Sequence, residues 1–197
     1  MENPSNIIEL RVAARLRKLR AARRLTLETL AASAGVSKSM ISLIERGECS
    51  PTAGVLDRLA ASLGVTLAAM FAEPDRDDAD PVARHADQPR WSDPATGYIR
   101  RNLSPPGFAS PLELVEVEMP PGVRVAYDSF GRSQAVHQQI WVVSGILEMT
   151  VGDQLYLLQQ GDCLAMRLDR PTAFRNPTER ESRYIVALTV VPSAGAA

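Results

Sequence analysis

The chain is poor in cysteine, with two in 197 residues, and they fall in different halves, at Cys49 and Cys163. That argues against a disulfide framework and for a reducing compartment, the cytoplasm. Neither has an activating neighbour in sequence, so both read as small apolar residues. No apolar run is long enough to span a membrane, and no secretory pattern stands at the start. No repeat appears at solenoid periods. A charge excess is missing too. The formal net charge is −1, which taken alone disfavours a nucleic-acid partner.

The distribution of charge reverses that impression. Residues 1–72 hold ten Lys/Arg against six Asp/Glu, and residues 73–197 hold twelve against seventeen. A basic head on an acidic body suits a protein that sets one end on phosphates.

Through residue 72 apolar residues recur at steps of three and four, among them Leu16, Leu19, Leu27, Leu30, Ile41, Ile44, Leu56, Leu59 and Leu63. The spacing predicts five helices, over 7–22, 27–34, 38–46, 53–63 and 67–72. Thr26 and Ser37 are N-cap candidates, and Ser50-Pro51-Thr52 introduces the fourth helix. Gly35, Gly47 and Gly64 stand where helices should stop. Residues 26–47 then read as two short helices joined at a glycine turn, a unit that lays its second helix in the major groove of DNA. Residues 73–97, with their prolines and acidic cluster, read as a linker that leads to a strand near Tyr98–Leu103. Trp91 within it is costly to leave in water. From residue 111 the period switches to two. LELVEVEM, VRVAY, QIWVV, ILEMTV, QLYLL, CLAMRL and RYIVALTVV are short strand-like runs separated by turn residues, which predicts a small antiparallel barrel or jelly roll.

The first unit resembles the XRE, or phage-repressor, helix-turn-helix family over residues 9–71. The matching residues are Leu27-x-x-Leu30-Ala31, Ala34-Gly35-Val36-Ser37 and Ile41-Ser42-x-Ile44-Glu45-x-Gly47. The resemblance implies that Ser37, Lys38, Ser39 and Ser42 lie at or near the groove, with Leu43 beside a thymine methyl or a partner subunit. Thr26, Arg23, Arg24 and Arg46 join the DNA-binding candidates, the arginines toward phosphates. It also implies an internal ion pair of Arg20 with Glu45, which withdraws Arg20 from the phosphate set.

Residues 110–190 resemble the cupin superfamily. Pro120-Pro121-Gly122 precedes a strand, Gln138 to Gly145 aligns with the first cupin motif, and Arg170 to Asn176 aligns with the second. The metal-dependent members hold their ion with three histidines and a glutamate. Here the first two histidine positions fall on Asp128 and Phe130, or in the other register on Arg132 and Gln134. Gln138 takes the glutamate position and Thr172 that of the third histidine. The set makes a poor transition-metal site, so no metal, no cofactor and no cupin enzyme chemistry are expected. His137 is the one histidine of this half. If Gln138, Ile140 and Val142 face inward, His137 and Gln139 face outward, unless a bulge turns His137 to the pocket. Trp141 reads as an interface residue. The ligand candidates are Tyr127, Asp128, Gln134, His137, Gln138, Met149, Met166, Thr172 and Phe174, with Arg124, Arg132 or Arg167 available to a carboxylate.

The expected fold class is α then β in several domains: a five-helix helix-turn-helix bundle over 1–72, a linker over 73–97 and a cupin-like antiparallel β-barrel over 98–197. The expected function is a homodimeric transcriptional repressor on a near-palindromic operator in double-stranded DNA, with a metal-free cupin domain that senses a small polar effector such as an amino acid or organic acid. The alternatives are a barrel serving dimerisation alone, a cupin isomerase or oxygenase with a DNA-binding head, and an antitoxin-like protein.

Overall fold

The computed structural model describes residues 4–74, 76–128 and 135–191. Four α-helices come first: α1 (Pro4–Ala22), α2 (Leu27–Ala34), α3 (Lys38–Glu45) and α4 (Ala53–Ser62). The capping residues fix where three of them begin. The side chains of Thr26, Ser37 and Thr52 accept hydrogen bonds from the backbone N–H of Thr29, Met40 and Val55, so each satisfies an N–H that the first turn leaves open. Gly35 ends α2 at φ 60°, a left-handed conformation that side chains disfavour.

A fifth helix over 67–72 does not form. In its place is one 3₁₀ turn, Ala68–Met70, in which Met70 N–H donates to Leu67 O and Phe71 N–H to Ala68 O. These are bonds across three residues, and Pro74 follows too soon for another α-turn. Thr66 Oγ1 accepts from Ala69 N–H at 2.9 Å and caps the turn.

Ten strands follow among the described residues: β1 (Arg90–Ser92), β2 (Ile99–Asn102), β3 (Leu112–Met119), β4 (Arg124–Tyr127), β5 (Ala135–Ser144), β6 (Ile146–Val151), β7 (Gln154–Gln159), β8 (Cys163–Arg167), β9 (Thr172–Arg175) and β10 (Ser182–Val191). They form two antiparallel sheets, one of order β1-β2-β3-β10-β5-β8 and one of order β4-β9-β6-β7. The predicted closed barrel is thus corrected to two sheets with open edges among the described residues. The chain passes from one sheet to the other through tight turns, at Gly145 and at Gly161-Asp162, so no continuous ladder runs round the corners. At Gly145 (φ 81°) a Cβ would lie 2.9 Å from Glu181 O and Ser182 Oγ, so the corner admits no side chain there. Alternation along β5 buries Gln138, Ile140 and Val142 and exposes His137, Gln139 and Trp141. The buried row faces the second sheet, and Phe174 of β9 stacks on Tyr184 of β10 with ring centroids 5.8 Å apart.

The stretch read as a linker contributes β1 and a shared core. Trp91 is 3% exposed. It packs on Phe71 at 5.4 Å and edge-on to Tyr98 at 6.0 Å, which joins the helical head to the β-sheet body. Two residues later, buried Asp93 accepts at Oδ1 from Ala53 N–H at 2.9 Å, the first residue of α4, and at Oδ2 from Thr96 N–H. A carboxylate there meets both an open N–H and the positive end of the helix dipole. Thr66 Oγ1 of the head donates to Glu113 Oε2 of β3 at 2.6 Å. Head and body therefore share one apolar core.

Replacing Trp91 with alanine should remove about 3–5 kcal/mol of stability by urea unfolding, as expected for an aromatic truncated inside a core. A loss below about 1 kcal/mol would show that the junction is not packed.

Candidate DNA-reading head and buried cavity

Among the described residues, the candidate side chains of the sequence fall mainly at the edge of α3 and around a cavity between the two sheets. On α3 the capping hydroxyl of Ser37 lies 3.1 Å from Ser39 Oγ, and Ser37, Lys38 and Ser39 are all exposed. Ser42 and Leu43, one turn on, are partly exposed. Arg46 follows the helix and is exposed; its guanidinium donates to Ser42 Oγ and, at 2.6 Å and 2.9 Å, to Glu48. Lys38 Nζ pairs with Glu28 of α2. Each carboxylate titrates below its ordinary value, Glu28 through the hydrogen bond from Lys38 and Glu48 through that from Arg46. Such solvent-exposed pairs are screened by salt and contribute little to stability, so both cations can exchange their partners for phosphates. Thr26, Arg23 and Arg24 lie exposed in and beside the turn that leads into α2. Arg24 adopts φ 54°, the left-handed region, at the bend of that turn. Arg23 donates to Leu19 O at 3.2 Å.

The helix pair is locked from behind. Arg20 donates from Nε and Nη2 to the two carboxylate oxygens of Glu45, at 2.6 Å and 2.7 Å, and from Nη1 to Leu25 O at 3.0 Å. Arg17 donates to Glu45 O. The hydrogen bond to Glu45 outweighs burial and holds Arg20 above its ordinary pKa. This planar two-point grip fixes the end of α3 against α1. Leu30, Ile41 and Ile44, all buried, fill the elbow.

The cavity has a volume of about 50 Å³. Four of the sequence candidates line it: Tyr127, Gln138, Thr172 and Phe174. The other described candidates do not. His137 is exposed on the outer face of β5, because alternation turns it away from Gln138 and no bulge intervenes between them. Asp128 is exposed beyond the end of β4. Met149 is buried in the core, paired across the ladder with Phe174, and Met166 is partly buried beside Gln138; neither reaches the cavity wall. Gln134 lies outside the described residues.

Sequence reasoning missed the most polar member of the lining. Arg100 of β2 is 7% exposed and lines the cavity, within electrostatic reach of the hydroxyls of Tyr98, Tyr127 and Tyr184. Burial opposes its charge, and the three hydroxyls more than offset this, leaving it above its ordinary pKa. Burial in turn pushes Tyr98, Tyr127 and Tyr184 up, so all three are neutral donors or acceptors at neutral pH. The signal was present in Ile99-Arg100-Arg101-Asn102, where strand alternation must bury one arginine of the pair. The head also reaches the cavity, with Asp57 of α4 and Thr66 and Leu67 in its lining.

A cupin-type metal does not fit this set. Gln138 and Thr172 stand at two of the ligand positions, and the fixed positive charge of Arg100 faces the same space. Neutral amide and hydroxyl oxygens are weak ligands for such an ion, and the guanidinium beside them repels a divalent cation where histidines would bind it.

A capped, glycine-turned helix pair ahead of two antiparallel sheets has the form of a helix-turn-helix unit joined to a β-sheet body. Comparison with known proteins agrees. A family model described as a helix-turn-helix domain matches residues 11–72. The transcriptional regulator SutR of Escherichia coli (strain K12) is 26% identical over 169 residues, which cover 86% of this chain and 89% of that protein. The crystal structure of an HTH_3 family transcriptional regulator from Vibrio cholerae aligns with a TM-score of 0.73 and 26% identity, over 94% of this chain and 98% of its own. The structure of hydroxypropylphosphonic acid epoxidase from S. wedmorenis aligns loosely, with a TM-score of 0.44 and 19% identity over 92% of this chain and 98% of its own. Residues 11–72 thus match a helix-turn-helix domain, and the chain as a whole is similar to helix-turn-helix transcriptional regulators in sequence and in fold.

Substituting Glu45 with alanine strands Arg20 half-buried and should cost about 3 kcal/mol in denaturant unfolding. A cost below about 1 kcal/mol would show that the pair does not hold α3.

Proposed function

We propose that this chain is a cytoplasmic, homodimeric repressor that reads a near-palindromic operator with α3 and senses a small polar molecule, such as an amino acid or organic acid, in its cupin domain without metal or catalysis. The reading divides the chain into a DNA-binding domain over 1–72, a connection over 73–97 and an effector domain over 98–197. The observation that carries it is the exposed hydroxyl and ammonium edge of Ser37, Lys38 and Ser39, continued by partly exposed Ser42, on a firmly held second helix within the region that matches the helix-turn-helix model. Short hydroxyls meet many base edges, so one head is a tolerant reader and two half-sites are needed for selectivity. Leu43 meets a thymine methyl, and Thr26, Arg23, Arg24 and Arg46 hold phosphates. Repression follows from occupying a promoter.

Trp141, 51% exposed, supports the dimer. It stands on the outer face of the six-stranded sheet, beside Ile185 of β10 and Cys163 of β8. A large exposed aromatic among polar neighbours such as His137 and Gln139 is the residue type that anchors subunit interfaces.

Selection from a pool of random duplexes should enrich two half-sites with centres about 10 base pairs apart. Lys38→Ala with Ser39→Ala should abolish that enrichment while melting temperature and dimer are kept; unchanged enrichment would reject α3 as the reader. Trp141→Asp should sediment as a monomer and bind the selected duplex about tenfold or more weakly, because the half-sites are no longer coupled. A stable dimer of that variant would place the interface elsewhere.

A further inference from the structure

The hydroxyls on the edge of α3 are polarised by their neighbours. Ser37 Oγ accepts from Met40 N–H at 3.2 Å and lies 3.1 Å from Ser39 Oγ. That pair of hydroxyls has two hydrogens, and one is spent between the two oxygens, so whichever oxygen donates, one hydrogen is left to point outward. Ser42 Oγ accepts from Nη1 of Arg46, and no acceptor among the described residues takes its hydrogen. Ser33 on α2 shows the contrast: its hydroxyl donates to Leu30 O at 3.1 Å, the ordinary use of a helical hydroxyl.

A hydroxyl that accepts from a guanidinium becomes a stronger donor, because the two bonds polarise each other. One lone pair of Ser42 stays open, but the cation beside it disfavours a second incoming N–H. Lys38, between Ser37 and Ser39, carries an ammonium that can only donate. The edge as a whole is therefore biased toward donating. Base edges sort sharply against such a surface. In the major groove guanine shows two acceptors, N7 and O6, and no donor, whereas cytosine shows only its amino donor and adenine shows one of each. Ser39 and Ser42 stand three residues apart, about 4.5 Å along a helix, which suits neighbouring base pairs.

We propose that α3 selects guanine: the Ser37–Ser39 pair and Ser42 each donate to N7 of a guanine in neighbouring base pairs, with the ammonium of Lys38 toward O6. Arg46 is the positioning residue. It turns the Ser42 hydroxyl outward through Nη1, while its Nε and Nη2 edge, which donates to exposed Glu48 at 2.6 Å and 2.9 Å, exchanges that carboxylate for a phosphate. One guanidinium thus ties a backbone contact to a base contact. This rests on the reading of α3 as the DNA-reading helix and names the base that it reads.

The test uses the full chain and the duplex that it selects from a random pool. Each half-site should carry G·C pairs at two neighbouring contacted positions. Exchanging either guanine for 7-deazaguanine, which lacks the N7 acceptor, should weaken binding about fivefold or more. Inosine, which keeps N7 and O6 and loses only the minor-groove amino group, should leave binding within about twofold. Ser42→Ala should make one of the two positions insensitive to 7-deazaguanine. Arg46→Met should cut the preference for guanine over cytosine at that same position about fivefold or more, whereas an arginine that only held phosphate would weaken all duplexes alike and leave the preference unchanged. Ser42 is partly exposed and Arg46 exposed, so both variants should keep the melting temperature of the parent chain. Selected half-sites read through A·T pairs alone, binding that survives 7-deazaguanine, or an Arg46→Met variant with unaltered base preference would overturn this inference and leave the regulator reading standing. A protein that selects no duplex overturns the regulator reading itself.

Discussion

The docking of the head on the body is the constraint on which the rest of the structure depends. It combines an apolar contact, Phe71 on Trp91 on Tyr98, with a charged one, the buried Asp93 carboxylate at the N-terminus of α4. Each supports the other. The aromatic cluster excludes water from the junction, and exclusion of water strengthens the bond from Ala53 N–H to Asp93. The bond in turn holds α4 at a fixed depth, where Gly54 passes 3.9 Å from Ala126 O of β4, counted from the position a Cβ would take. With that depth fixed, Asp57 one turn further along α4 becomes part of the cavity wall.

The same arrangement links the helical head to the cavity through packed side chains. Ring contacts and hydroxyls run from Phe71 and Trp91 through Tyr98, whose hydroxyl lies 2.8 Å from that of Tyr127, to Phe174 and Tyr184. On the head side, α3 is clamped to α1 by Arg20 and Glu45, so the head moves as one piece. The exposed ion pairs at the edge of α3, Lys38 with Glu28 and Arg46 with Glu48, belong to a different class: solvent screens them, and they set little of the geometry.

Much of this was legible in the sequence where the signal is local. The caps Thr26 and Ser37 and the glycine at 35 place α2 and α3 to the residue at their starts, and strict alternation places β3 and β6 at their observed limits. Alternation alone also turns Gln138 inward and His137 outward. The Arg20–Glu45 pair followed from family resemblance and stands at hydrogen-bond distance. What was not legible depends on tertiary partners. Strand β1 is three residues long inside a proline-rich acidic stretch, and only its pairing with β2 makes it a strand. Strand β9 begins one residue after a proline and reads locally as a turn. Arg100 looks like solvent-facing charge until the head covers its face of the sheet, and Asp57 looks like the polar face of an amphipathic helix until the body is placed beneath it.

The central claim is that head and body form one cooperative unit through a shared core. Differential scanning calorimetry of the intact, ligand-free chain tests it most directly. A shared core predicts a single unfolding transition whose calorimetric and van't Hoff enthalpies agree per cooperative unit. Two separable transitions, with the helical signal lost at one temperature and the sheet signal at another, would contradict it.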